Sequence, residues 1–125
     1  MKLAVCNEFF QDWKIEKVFE YAALIGCEGV EIAPFTLAES VKRISAARRK
    51  RIRQAAERAG VEIVGLHWLL TKPDGLYINH PEAAIRKKTQ DYVKALIDFC
   101  GDLGGSVLIH GSPNQRNVQK GWDAD

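Results

Sequence analysis

Three ionisable residues stand out because each lies inside or at the end of a short apolar run. Glu31 interrupts the apolar run at residues 29–33, and His67 and His110 stand in the last parts of two later runs. A carboxylate in such a place can bind a ligand or transfer a proton, and imidazole is a good ligand for zinc, iron or cobalt. These residue types point to a site for acid–base or metal chemistry.

Each of these residues also has a purely structural interpretation, and both interpretations stay open. A buried carboxylate is costly unless it is paired, so Glu31 either serves a ligand or pairs with a Lys or Arg. The histidines either converge or bond to neighbouring loops, and two histidines alone do not make a zinc site, which usually has three or four protein ligands. Trp68 provides either an apolar wall for a sugar ring or a packing surface.

The elements that would position these residues follow a repeated order of strand and helix. Short apolar runs predict strands over residues 3–8, 29–33, 61–69 and 106–110. Apolar positions with helical spacing predict helices over residues 13–25, 46–59 and 81–103. We expect Asp12 and Ser45 to cap the first two helices, and Gly60 and Gly104 to end the last two.

This order predicts one α/β domain over residues 1–125, because alternating strands and helices form a parallel sheet with right-handed crossovers. Two architectures fit: a (βα)3β half of a TIM barrel, or an open doubly wound sheet. A complete barrel has eight strands and about 250 residues, and this chain has half of both. In either architecture ligands bind beyond the carboxyl ends of the strands, where the candidate site residues fall.

Composition and motifs exclude several other classes of protein. The chain is 46% hydrophobic and 27% charged, and its formal net charge of +2 gives no reason to expect a polyanion partner. No apolar run approaches the roughly 18–20 residues of a membrane span, and the start does not resemble a secretory signal. Glycine-rich nucleotide loops and the GxSxG and HExxH motifs do not occur.

Two further sets of residues have unremarkable interpretations. The three cysteines Cys6, Cys27 and Cys100 include no CxxC pair, so we expect buried, reduced thiols in a cytoplasmic protein. The basic run at residues 48–51 is expected to be a solvated helix face rather than a nucleic-acid contact. His80 is expected to cap a helix or to be exposed.

Three segments resemble the xylose isomerase-like TIM barrels, a superfamily of sugar and sugar-phosphate isomerases and epimerases that also includes AP endonucleases. They read GCEGVEI at residues 26–32, AGVEIVGLH at 59–67 and LGGSVLIHG at 103–111. The resemblance covers nearly the whole chain and implies the amino-terminal half of such a barrel.

The resemblance implies an enzyme that moves a proton next to the carbonyl group of a sugar or keto-acid with a divalent metal (Mn²⁺, Mg²⁺, Co²⁺ or Zn²⁺). It places Glu31 in the substrate pocket, and His67 and His110 either in that pocket or, as in the AP endonucleases, on zinc. With Trp68 these are our predicted substrate-binding residues, and His67 and His110 are our predicted metal ligands. No catalytic residue is assigned, because in this family the main metal and acid–base ligands come from strands five to eight.

These implications lead to three expectations about the chain. We expect the 125-residue chain by itself to be inactive, although its parent activity is isomerisation or epimerisation. The alternatives are an AP endonuclease-like phosphodiesterase and a non-catalytic half-barrel. Since an open sheet leaves its first and last strands unpaired, we also expect a homo-oligomer or pairing with a second half-barrel. Neither a membrane nor a nucleic acid is expected as a partner.

Overall fold

The computed structural model describes residues 1–122, which form parallel strands alternating with helices. The strands are β1 (Ala4–Cys6), β2 (Gly29–Ile32), β3 (Glu62–Leu66) and β4 (Val107–Leu108). The helices are α1 (Ile15–Leu24), α2 (Ala46–Ala59) and α3 (Ala83–Leu103). Short 3₁₀ helices lie at Asn7–Phe9, Pro34–Thr36, Val41–Arg43 and Pro113–Gln115. The end of the predicted domain, residues 123–125, lies outside the described residues.

The sheet runs in the order β1-β2-β3-β4, and every neighbouring pair is parallel. A doubly wound sheet would instead reverse its strand order partway, which creates the crevice where its ligands bind. The sequential order confirms the prediction of a partial TIM barrel, and the alternative of an open doubly wound sheet is wrong.

The hydrophobic core lies between the sheet and a single layer of helices. Helix α1 packs against α2, and α2 packs against α3. From the sheet, Val30, Ile32 and Leu66 point into this core and are fully buried. Since side chains alternate along a strand, Glu31 projects from the opposite face, away from the helices. None of the helices within residues 1–122 is long and apolar enough to cross a membrane.

Most of the predicted helix ends are confirmed, and one is wrong. The Ser45 hydroxyl accepts the Arg48 backbone N–H at 3.2 Å, and α2 and α3 end at Gly60 and Gly104, whose φ angles are +77° and +86°. Asp12 does not cap α1. It has a φ of +64° in the turn before the helix, and the residue at the N-cap is Lys14.

The strands are shorter than predicted because the chain turns as soon as each strand reaches the rim of the sheet. The predicted strand 3–8 ends at Cys6, where a 3₁₀ turn begins, and the predicted strand 61–69 ends at Leu66. Trp68, with a φ of +55°, cannot continue an extended strand. The predicted strand 106–110 is reduced to Val107–Leu108. The predicted helix 13–25 covers Ile15–Leu24, and the predicted helix 81–103 begins at Ala83.

Candidate active site

Glu31 of β2 and His67, the residue after β3, lie side by side on the face of the sheet opposite the helices. Oε2 of Glu31 lies 3.1 Å from Nδ1 of His67. Their side chains are 18% and 28% exposed, so both are partly buried and still open to solvent. Among residues 1–122 no Lys or Arg lies within ion-pair distance of Glu31. The interpretation of Glu31 as the partner of a Lys or Arg is therefore wrong for the described residues.

Gly111, in the loop after β4, lies directly against the ring of His67. A Cβ atom at position 111 would be 2.6 Å from Nε2, closer than Cβ atoms approach other atoms, and 3.0 Å from Cδ2. The missing side chain therefore makes room for the ring on its Nε2 side. Nδ1 remains on the side of Glu31, where it is buried and has no partner in hydrogen-bonding orientation among the described residues.

Cys6, at the end of β1, is the third member of this group. It is the register partner of Glu31, and one ligand atom each of Cys6, Glu31 and His67 lies within 4.8 Å of the other two. Burial raises the pKa of the Cys6 thiol above its ordinary value, and the negative charge of Glu31 raises it further. The expectation that Cys6 and Cys27 are buried is wrong, since both are only partly buried, whereas Cys100 is buried as expected. The available signal for Cys6 was its position at the end of the first apolar run.

Two buried polar side chains tie the loops at this rim to one another. The Asn7 side-chain oxygen accepts the backbone N–H of Ala33 at 2.7 Å, and its Nδ2 donates to the Thr36 hydroxyl at 2.8 Å. The Ser112 hydroxyl accepts the backbone N–H of Leu70 at 3.2 Å. The loop after β1 is thus fixed to the loop after β2, and the loop after β4 to the loop after β3. These links hold the rim on which Glu31 and His67 stand.

Of the two other predicted site residues, Trp68 contacts this pair, whereas no contact of His110 with the pair is found within residues 1–122. The Trp68 ring stacks on His67, with centroids 5.5 Å apart and planes inclined by 24°. His110 has a buried Nε2 without a hydrogen-bond partner in the described part of the chain. Burial lowers the pKa of His110, and the nearby positive charge of Arg116 lowers it further, so both favour the neutral imidazole. Among residues 1–122 His110 is not part of the three-residue group of Cys6, Glu31 and His67.

An aromatic cleft at the same end of the sheet was not predicted from the sequence. It is lined by the aromatic residues Phe10, Trp13 and Phe35, together with Asn7 and Thr36. The Phe10 and Trp13 rings are 5.4 Å apart. Trp13 was missed because it falls in the turn before α1, where no apolar periodicity marks it.

The remaining polar candidates have structural roles in the described residues. The His80 Nδ1 accepts the backbone N–H of Glu82 at 3.1 Å, but Glu82 is the N-cap residue of α3 and no side chain caps this helix, so His80 bonds to the loop before the helix rather than capping it. In the basic run of α2, Arg48 pairs with Glu16 of α1, and Arg49 pairs with Asp102 of α3 at 2.8 Å. Carboxylates of the neighbouring helices thus balance part of this basic face.

A model of a known protein family matches most of the chain. The family described as xylose isomerase-like TIM barrel matches residues 19–124 of the chain. No curated protein sequence matches it significantly.

Solved structures share the fold at low sequence identity. A crystal structure of D-psicose 3-epimerase in the presence of D-fructose superimposes with a TM-score of 0.70 and 17% identity, covering 86% of this chain and 36% of that one. The apo form of 3-keto-D-glucoside 4-epimerase from E. coli gives a TM-score of 0.65 and 16% identity, covering 90% of this chain and 38% of that one. This chain therefore spans little more than a third of either epimerase.

Proposed function

Since the chain belongs to the xylose isomerase-like TIM barrel family, we propose that it carries the amino-terminal part of an active site that isomerises or epimerises a sugar, a sugar phosphate or a small keto-acid. The observation that carries this proposal is the Glu31–His67 pair. The pair joins the carboxyl ends of two adjacent parallel strands, the end of a barrel at which active sites are built. Two solved structures with this fold are named as epimerases of sugars, which supports the same substrate class.

In this proposal Glu31, His67, Trp68 and His110 bind and orient the substrate. The Glu31 carboxylate accepts hydrogen bonds from sugar hydroxyls. The His67 imidazole holds a carbonyl or hydroxyl oxygen. Trp68, stacked on His67, offers an apolar surface to the face of the sugar ring. The reaction itself removes a proton from a carbon next to a carbonyl and returns it to another carbon or to the other face.

A divalent metal, Mn²⁺, Mg²⁺, Co²⁺ or Zn²⁺, would stabilise the negative charge that develops on the enediolate oxygens. His67 and His110 are the ligands implied by the family resemblance. Each has a buried ring nitrogen without a hydrogen-bond partner within residues 1–122, and this fits a role as metal ligand. The acid–base groups implied by the resemblance belong to strands five to eight, so we propose that residues 1–125 bind substrate without turning it over.

Saturation-transfer NMR with D-fructose and D-psicose tests substrate binding by the folded chain. We expect transfer to the sugar protons with the wild-type chain and weaker transfer with Glu31→Gln. The matched control is Glu62→Gln, because Glu62 begins β3 at the opposite end of the sheet and its side chain is 76% exposed. The same measurement is made with the corresponding aldoses, with the sugar phosphates and with small keto-acids. The proposal is wrong if the folded chain binds none of these compounds and neither ketose. Turnover with added Mn²⁺ or Co²⁺ would overturn the proposed inactivity alone.

Self-association of the chain is the second part of this proposal. Strands β1 and β4 form the two edges of the described sheet. Near these edges Leu3, Val107 and Ile109 are 52%, 42% and 41% exposed. Unpaired strands with exposed apolar side chains favour pairing with another sheet, such as a second copy of this chain or a second half-barrel.

A further inference from the structure

We propose that Cys6, Glu31 and His67 form a binding site for a borderline-soft divalent metal ion of the Zn²⁺ class. This inference rests on the geometry and chemistry of the three side chains, and it does not require the sugar reaction proposed above. It also differs from the proposed His67 and His110 pair, since the partners of His67 are here a thiolate and a carboxylate.

The three donors come from three adjacent strands and converge on one side of the sheet. Their ligand atoms lie within 4.8 Å of one another, and the closest measured pair, Glu31 Oε2 and His67 Nδ1, is 3.1 Å apart. Zinc bond lengths of about 2.0–2.3 Å place tetrahedral donors roughly 3.3–3.8 Å apart. The spread of up to 4.8 Å exceeds this range by about 1 Å, a difference of the size that side-chain rotation supplies.

The described residues around Cys6, Glu31 and His67 provide no hydrogen-bond partner for Nδ1 of His67 and no Lys or Arg charge for Glu31. The His67 nitrogen on the side of Glu31 is Nδ1, which is buried and has no hydrogen-bond partner among residues 1–122. No Lys or Arg in that part of the chain lies within ion-pair distance of Glu31. A cation bound here would satisfy both the unpartnered nitrogen and the carboxylate charge.

The donor set selects the kind of metal. Thiolate and imidazole favour Zn²⁺ and its spectroscopic substitute Co²⁺, whereas Mg²⁺ and Mn²⁺ prefer sites made of oxygen ligands. Three protein ligands leave a fourth tetrahedral position for water or a ligand oxygen, as in catalytic zinc sites. The group is therefore a site for an exchangeable, substrate-accessible ion rather than a closed structural one.

Titration of the reduced chain with Co²⁺, followed by absorbance, tests the site directly. We expect one equivalent to produce a near-ultraviolet thiolate-to-cobalt charge-transfer band, and excess Zn²⁺ to remove it. The band should be lost in Cys6→Ser, and the affinity should fall by roughly ten-fold or more in Glu31→Gln and His67→Gln. Cys27→Ser and Cys100→Ser are matched controls that should leave both the band and the affinity unchanged.

Other results of this titration would overturn the site. The site is wrong if the band is lost in Cys27→Ser or Cys100→Ser. It is also wrong if a chain that circular dichroism shows to be folded gives no band. The same holds if His110→Gln weakens Co²⁺ binding while Cys6→Ser binds Co²⁺ normally.

A measurement on the wild-type chain covers the case in which Cys6→Ser does not fold. Zn²⁺ should slow alkylation of Cys6 by N-ethylmaleimide, measured by peptide mass spectrometry, and leave the rate at Cys27 unchanged. Equal rates with and without Zn²⁺ would contradict the site. A chain that binds sugar but gives no cobalt band refutes the metal site alone, and a chain with the band that binds no sugar refutes only the proposed function.

Discussion

Nδ1 of His67 lies 3.1 Å from Oε2 of Glu31 because the register between their strands shifts by one residue. Val30 pairs with Ile63, but Glu31 pairs with Gly65. Side chains alternate along a strand, so His67, two residues after Gly65, projects from the same face as Glu31. Without the shift Glu31 would pair with Val64, and His67 would point towards the helices. One irregularity in β2 and β3 thus creates the candidate site.

The position of the His67 ring also depends on Gly111, which gives the first prediction. Gly111→Ala would place a Cβ 2.6 Å from Nε2, so the ring must move away from its position beside Glu31. We expect roughly ten-fold weaker Co²⁺ binding, similar to the loss of a residue that orients a metal ligand. Cobalt titration measures this change, and urea denaturation shows whether the fold is intact.

A glycine in open space is the control for that substitution. Gly101 in α3 has no atom within 4 Å of an added Cβ, so Gly101→Ala should keep wild-type Co²⁺ affinity and stabilise the helix by about 0.5–1 kcal/mol. If Gly111→Ala binds Co²⁺ as well as Gly101→Ala does, the contact with Gly111 does not set the His67 ring.

Asn7 joins the loops after β1 and β2, and its removal gives the second prediction. Asn7→Ala leaves the buried backbone N–H of Ala33 without its acceptor at 2.7 Å. We expect the free energy of unfolding to fall by about 1–3 kcal/mol, the usual cost of an unsatisfied buried donor. Urea denaturation gives the value. Asn114 is exposed in a 3₁₀ turn, and Asn114→Ala should change stability by less than about 0.5 kcal/mol. Equal effects of the two substitutions would refute the role of Asn7.

The ion pair between Glu16 of α1 and Arg48 of α2 gives a prediction about pH. The hydrogen bond from Arg48 lowers the pKa of Glu16, so the carboxylate form is favoured in the folded state. The resulting stability is present at neutral pH, above the pKa of Glu16 in the unfolded chain, and is lost as pH falls through the lower pKa of the folded chain.

We therefore expect Glu16→Gln to reduce stability at neutral pH by no more than about 1 kcal/mol, because both side chains are more than a third exposed. The difference from wild type should shrink as the pH is lowered to about 3. Urea denaturation across this range measures it. A difference that stays constant with pH would show that the carboxylate charge contributes nothing.

Much of the architecture could be predicted because it depends on local sequence. The apolar spacing of Ile15, Val18, Phe19 and Ala22 predicts the buried face of α1, and these residues are all buried. Ser45 caps the start of α2 and Gly60 ends it. Both effects depend only on the local backbone, so they could be predicted without knowledge of the fold. Asp12 could not, because its turn depends on how the loop after β1 packs.

The site could be predicted only in part, because its geometry depends on register. Glu31 was predicted because it interrupts an apolar run and His67 because it lies at a strand end, and the structure brings the two side chains to 3.1 Å. The contribution of Cys6 depends on its pairing with Glu31, and the fit of Gly111 depends on the approach of a distant loop. Nothing in the order of residues specifies either distance. The register shift leaves Val64 of β3 as the extra residue, and Gly65 follows it. A glycine within a strand can mark a bulge, but it does not specify which pairing results.

The edges of the sheet give the last prediction. We expect light scattering at micromolar concentration to give a mass above the 14.0 kDa of one chain. Val107→Lys should shift the mass towards that of a monomer, because a charged side chain at the exposed edge strand β4 disfavours pairing with another sheet. Ile97→Lys is the matched control, since Ile97 is a comparably exposed aliphatic residue on α3, and it should leave the mass unchanged. A compact wild-type monomer would refute self-association, and an equal effect of both substitutions would move the contact away from the strand edge.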